Sequence, residues 1–160
     1  MSVVVSLVSI AVLTAADQII KYFVEQNLAG ADCITVIKGF LGFEYTENTG
    51  AAFGSFSNST TVLSIITGVI ILAGIIAIIL KKIKGGFLLT VSVMIIAGGL
   101  GNLIDRLSKG YVVDFIKTLF IDFPIFNFAD ILVTCGAFML MGYLIYDAYR
   151  DYKKKKSKEQ

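Results

Sequence analysis

Residues 62–80 read VLSIITGVIILAGIIAIIL, nineteen positions without a charge, and the run stops at Lys81-Lys82-Ile83-Lys84. A helix needs about 20 apolar residues to cross the hydrocarbon core of a bilayer, so this stretch reads as a membrane span with a basic anchor at one end. Three further apolar stretches flank it, at residues 2–25, 87–104 and 130–147. The first contains Asp17 and Lys21, which have i, i+4 spacing in the favourable order and let one helix run through them. A cleavable signal peptide competes for the same residues, because Thr14-Ala15-Ala16 looks like a small-residue cleavage site. No basic segment precedes it, however.

Composition agrees with a bilayer protein. Of 160 residues, 56% are hydrophobic, 16% are charged and one is proline, whereas a water-soluble domain is about a quarter charged. The expected fold is an all-α membrane protein with four transmembrane helices and a small extracytoplasmic β-sheet or loop element. Residues 33–37 and 40–45 look like two short strands around Lys38-Gly39, inside a polar segment at 27–60. The chain is read as a single integral membrane domain over 1–160. Residues 27–60 and 108–126 are assigned outside, and 81–86 and 150–160 to the cytoplasm. The loop at 81–84 and the tail hold nine of the fourteen basic residues. The positive-inside rule therefore places both termini in the cytoplasm. No internal repeat aligns, which weighs against an inverted-repeat transporter.

The absence of histidine excludes Ser-His-Asp and Cys-His systems and HExxH zinc sites. Cys33 and Cys135 are too few and too far apart for a disulfide framework or a CxxC metal site, and are read as small buried apolar residues. The basic run at 153–156 follows a membrane segment without a groove-reading motif, so nucleic acid is not expected as a partner. No cofactor and no metal are expected.

Ionisable residues are expensive in a membrane, at about 2.5–3.5 kcal/mol each at a helix centre. Here Asp17, Lys21, Asp105, Arg106, Asp114 and Asp130 fall into one outer layer, accompanied by Asn48, Asn102 and Asn127. Asp114 sits in Tyr111-Val112-Val113-Asp114-Phe115-Ile116, and Asp130 in Phe126-Asn127-Phe128-Ala129-Asp130-Ile131. Two partly buried carboxylates near each other readily share one proton. The ionised member then draws a proton from water while the protonated member donates to a scissile carbonyl. Which of the two is the base is left open. Gly98-Gly99-Leu100-Gly101-Asn102 lies inside an apolar span and lacks the Lys-Ser/Thr ending of a phosphate loop. Its small residues point instead to close approach by another helix or a substrate.

Asp17-Gln18 with Lys21, Asn48-Thr49-Gly50-Ala51-Ala52-Phe53-Gly54, the run from Gly98 through Asp105-Arg106, Val113-Asp114-Phe115, and Phe126-Asn127-Phe128-Ala129-Asp130 resemble, in order, the motifs of bacterial lipoprotein signal peptidase, or signal peptidase II. The resemblance covers nearly the whole chain. It implies an intramembrane aspartyl endopeptidase that removes the signal peptide from diacylglyceryl-modified prolipoproteins, cutting immediately before the lipidated cysteine. Asp114 and Asp130 would be catalytic. Asn48, Gly50, Gly98, Asn102, Arg106, Asn127 and Ala129 would line or support the site, and Asp17, Lys21 and Asp105 would hold it together. The family's fold adds an extracytoplasmic sheet to four spans and retains the first helix. The implied setting is the bacterial cytoplasmic membrane, with the site at its outer face, membrane lipids around it and globomycin as inhibitor. The chain is expected to act as a monomer. Phe53, Phe115 and Phe128 are expected to wall the site, and residues 48–57 to close over substrate, since Gly50 and Gly54 permit backbone freedom.

Three alternatives make different demands. A small transporter or channel subunit needs charges spread through the bilayer depth, which the second and fourth spans lack. A scaffold whose charged pairs only lock helices together predicts that Asp114→Asn leaves function intact. A Ser-Lys hydrolase built on Lys21 finds no serine near it on its own helix.

Overall fold

The computed structural model describes residues 2–50 and 60–157. Its order is α1 (Val3–Leu28), β1 (Ile34–Ile37), β2 (Leu41–Asn48), α2 (Thr60–Ile79), α3 (Gly86–Lys109), β3 (Val112–Thr118) and α4 (Phe128–Lys156). All four helices are long and apolar enough to cross a membrane. They leave large apolar side chains uncovered: Ile65, Val69 and Leu72 on α2 and Phe138 and Ile145 on α4 are exposed. A helix hydrophobic all round is stable in lipid because its backbone bonds are satisfied internally and its side chains meet hydrocarbon.

α3 is the central helix and packs against each of the other three. Its small residues allow this. A Cβ on Gly98 would meet the Ala129 carbonyl oxygen of α4, and one on Gly99 would come within 3.2 Å of Ile71 on α2. Ile10, Ile71, Ile78, Val93, Ile96, Ala97 and Leu132 form the buried apolar core between the four helices. α3 ends at Gly110, whose φ of 85° lies in the left-handed region and whose N–H caps the Arg106 carbonyl. That turn delivers the chain directly into β3.

The sheet is antiparallel in the order β1-β2-β3. Its inner side packs Phe43, Phe115 and Val113 against Val24 and Leu28 of α1. Beyond β3, the chain folds back so that Phe126 exchanges backbone hydrogen bonds with Ile116 at 2.7 and 3.1 Å. This return leads straight to Asn127, the N-cap of α4.

Several boundaries differ from those read in the sequence. The connection expected over 108–126 holds a strand, β3, whose apolar pattern at Val112, Val113 and Phe115 reflects burial on both faces. β2 runs three residues past 45 because its far half pairs with β3, Thr46 opposite Asp114 and Asn48 opposite Val112. α4 starts before residue 130, under a capping box, and stays helical through Lys156. Its four terminal lysines complement the negative end of the helix dipole. The cysteines are not buried: Cys33 is half-buried, and Cys135 is exposed on α4.

Candidate active site

Asp114 and Asp130 reach one cleft of about 790 Å³ between the sheet and the ends of α3 and α4. They arrive there from different kinds of structure. Asp114 is buried in the middle of β3, held between the return at 126 and strand β2. Asp130 is the third residue of α4, and its carboxylate accepts the Asn127 backbone N–H at 3.1 Å. The Asn127 side-chain oxygen accepts the Asp130 backbone N–H at 2.9 Å, completing the capping box.

Three asparagine amides turn their NH2 groups toward these two carboxylates. Asn48 Nδ2 donates to Asp114 Oδ2 at 2.8 Å, Asn127 Nδ2 to Asp114 Oδ1 at 2.6 Å, and Asn102 Nδ2 to Asp130 Oδ1 at 2.7 Å. In each case a donor pins the amide's own oxygen. Asn48 Oδ1 accepts the Gly50 N–H, Asn127 Oδ1 the Asp130 N–H, and Asn102 Oδ1 both Lys21 Nζ and Asn127 Nδ2. Every carboxylate oxygen of the pair therefore receives an N–H. Burial pushes the Asp114 carboxyl up to about 6 and the neighbouring Asp130 charge adds to the rise, while the Asn48 and Asn127 amides oppose it.

Beneath the pair lies a buried ionic cluster. Lys21 is 1% exposed, and Asp17 and Asp105 are fully buried; Lys21 Nζ lies 2.9 Å from Asp17 and 3.0 Å from Asp105. Each carboxylate then holds backbone. Asp17 Oδ1 accepts the Ala129 N–H at 3.0 Å, and Asp105 Oδ2 accepts the Val113 N–H at 3.3 Å. Ala129 and Val113 are the residues immediately before Asp130 and Asp114. Asp105 Oδ1 makes no hydrogen bond among the described residues, with Lys109 Nζ 3.9 Å away.

Arg106 lines the cleft and donates to the Gly50 carbonyl oxygen at 3.2 Å, while its Nε has no hydrogen-bond partner among the described residues. A smaller cavity of about 280 Å³ opens between α2, α3 and α4 and shares Asn102, Arg106, Asp130 and Thr134 with the main cleft. Asp130 thus lines both cavities.

The polar and charged residues singled out in the sequence, Asp17, Lys21, Asn48, Asn102, Asp105, Arg106, Asp114, Asn127 and Asp130, are brought together here. Gly50 joins through its backbone, and Gly98 lets α4 close on α3. The aromatic walls are different from those expected. Phe115 packs inward against Phe43, and Phe128 packs against the core, while Phe123, Pro124, Ile125, Phe126, Val112 and Ile131 form the apolar lining. Strand and helix geometry explains the difference: both aromatics alternate away from the face that carries the neighbouring aspartate. Phe53, and most of the segment 48–57 expected to close over substrate, lie outside the described residues. Gln18, quoted in the first motif without a role, bridges α1 to the Gly101 carbonyl at 3.1 Å, and Thr14, which sequence reasoning did not place at the site, bridges it to the Ala97 carbonyl at 3.3 Å. Sequence reasoning also missed Glu25, which takes Lys109 at 2.7 Å and the Tyr111 hydroxyl at 3.3 Å. The helical spacing of Thr14, Asp17, Gln18, Lys21 and Glu25 along one stripe was the available signal.

Residues 9–146 match the family described as signal peptidase (SPase) II. The lipoprotein signal peptidase of Clostridium tetani is 41% identical over 141 residues, covering 86% of this chain and 90% of that protein. That of Lactococcus lactis subsp. lactis is 37% identical over 147 residues, covering 92% and 97%. Among solved structures, a bacterial membrane enzyme determined by the in meso method at 2.3 Å resolution superimposes with a TM-score of 0.81 at 34% identity, over 90% of this chain and 89% of that one. A second, at 1.9 Å resolution, gives 0.79 at 35% identity, over 89% and 94%.

Proposed function

The chain belongs to the signal peptidase II family and is a multi-pass membrane protease, and from that premise we propose that it cleaves diacylglyceryl-modified prolipoproteins immediately before the lipidated cysteine, using water activated by Asp114 and Asp130. The observation that carries this reading is the convergence of the two carboxylates on one cleft, from a strand and from a helix N-terminus, with amide N–H groups on all four oxygens. Such a pair has the acid and the base that peptide hydrolysis needs, and the chain has no histidine to compete for either role.

The chemistry then runs as an aspartyl protease step. One carboxylate takes a proton from a water molecule as its oxygen attacks the peptide carbonyl carbon, and the protonated carboxyl gives its proton to the carbonyl oxygen. The tetrahedral intermediate collapses with cleavage of the C–N bond as one of its hydroxyl protons returns to the carboxylate that had given it, and the new amine leaves with the proton taken from water. The signal peptide ends in a free carboxyl and the cysteine in a free amine. Arg106 lines the cleft, where its guanidinium is available to a substrate carbonyl. The apolar lining from Phe123 to Phe126 and Ile131 suits an acylated, apolar substrate. The charge distribution supports a bacterial cytoplasmic membrane placement with both termini inside and the cleft at the outer face. Globomycin is the inhibitor this reading implies.

The test compares Asp114→Asn and Asp130→Asn with the parent protein in detergent, following cleavage of a diacylglyceryl-modified prolipoprotein on a gel and checking folding by thermal melting. Loss of cleavage in both folded variants supports the pair. Near-parent cleavage by either folded variant overturns it, and with it the distinction from a helix-locking scaffold.

A further inference from the structure

Lys21 has three polar partners, and each leads to the aspartate pair by one step. Asp17 holds the N–H of Ala129, Asp105 holds the N–H of Val113, and Asn102 donates to Asp130 itself. The third route is the directional one. An ammonium group is a donor only, so it fixes the Asn102 amide with its oxygen toward Lys21 and its NH2 toward Asp130. Asn127 Nδ2, the second donor on the same oxygen, reinforces that direction. A reversed amide would set its oxygen against the Asp130 carboxylate and its NH2 against Lys21, two repulsive contacts in place of two charge-assisted bonds.

We propose that Lys21 is a positioning residue that, through Asn102, commits Asp130 to the role of base, leaving Asp114 to hold the shared proton. The proposal rests on the aspartyl reading above. The asymmetry has support on both sides of the cleft. Asp130 lies in the first turn of α4, where the helix dipole favours negative charge, receives the Asn127 backbone N–H, and has Arg106 near it on the cleft wall. Asp114 lies in a strand between buried Val113 and Phe115, without a helix terminus behind it. The charged groups facing this system are Asp17 and Glu25 on α1, Glu47 on β2 at the cleft wall, Asp105, Arg106 and Lys109 on α3, and the aspartate pair on β3 and α4. Lys109 is engaged by Glu25, so Lys21 is the cation that reaches Asn102.

The experiment measures kcat, KM and the pH profile of kcat for Asn102→Ala and Lys21→Met in detergent. Asn102→Ala removes the relay and keeps the Lys21 ion triad. Removing one preorganised donor is expected to lower kcat by about 100-fold. KM should stay within a few-fold of the parent. The acidic limb of the kcat profile should move up by about one pH unit, since a base that loses a charge-assisted hydrogen bond holds its proton to higher pH. Lys21→Met should move the limb the same way. Because it strands Asp17 and Asp105, the double variant Lys21→Met/Asp105→Asn replaces it if it fails to fold. An unmoved acidic limb in folded Asn102→Ala overturns the proposal, since Asn102 donates directly to Asp130 and reaches Asp114 only at one remove, through Asn127. Failure of the aspartyl reading would show separately, as retained cleavage in Asp114→Asn or Asp130→Asn.

Discussion

Gly101 on α3 lies so close to Asp17 on α1 that a methyl group on Gly101 would fall onto the Asp17 carboxylate and come within 3.3 Å of the Ala129 side chain. The space denied to a side chain is taken by the carboxylate that grips Ala129, one residue before Asp130. Helix contact and site geometry are thus a single feature. Gly101→Ala is expected to cost about 1–3 kcal/mol, the range for forcing extra volume into a packed interior. Gly142→Ala is the control, since a Cβ there meets nothing within 4 Å. It should be neutral or stabilising by up to about 1 kcal/mol, the helix-propensity gain of alanine over glycine. Thermal melting in detergent checks both; equal stability of the two variants would refute the packing account.

Asp17 offers a sharper separation of charge from hydrogen bonding. Asp17→Ala leaves Lys21 short of one counter-charge and the buried Ala129 N–H without its acceptor. Breaking one partner out of a buried ion pair costs about 3–5 kcal/mol. Asp17→Asn keeps an oxygen for Ala129 and should melt well above Asp17→Ala. Identical melting temperatures would mean that the carboxylate acts as a charge alone.

Much of this was legible in residue order. Four spans follow from apolar run length, because a bilayer fixes that length. The charged residues could be assembled because each is costly in a membrane and so marks a partnership. β3 was harder to see. Val112, Val113 and Phe115 read equally as a loop between spans, and only the pairing with β2, distant in sequence, makes them a strand. The grip of Asp17 on Ala129 and of Asp105 on Val113 was not legible at all, since a backbone N–H carries no sequence signature.

The expected orientation has its own test. In a variant with Cys33 and Cys135 both replaced by serine, a single cysteine introduced as Lys38→Cys in the β1–β2 turn should react with a membrane-impermeant maleimide on intact cells. Lys84→Cys, between α2 and α3, should react only after permeabilisation. The reverse pattern would place the cleft on the cytoplasmic side and overturn the positive-inside assignment.

The Asp114 carboxyl links stability to pH. Burial and the Asp130 charge raise it from 3.8 to about 6, so between those values the folded chain holds a proton that the unfolded chain has released. A raised carboxyl stabilises the fold fully below the unfolded value, and that contribution is lost as pH climbs through the folded value. The loss amounts to about 3 kcal/mol for a shift of this size. The parent should therefore lose stability from pH 4 to pH 7 on account of this group, and Asp114→Asn, which cannot ionise, should lose less. In thermal melts across that range the variant is expected to gain on the parent as pH rises, with most of the change centred near pH 5. Parallel pH dependences for the two proteins would show that Asp114 is ionised at both ends of the range. The protonated partner needed for hydrolysis would then have to be sought at Asp130, the reverse of the assignment that the Lys21–Asn102 contact supports.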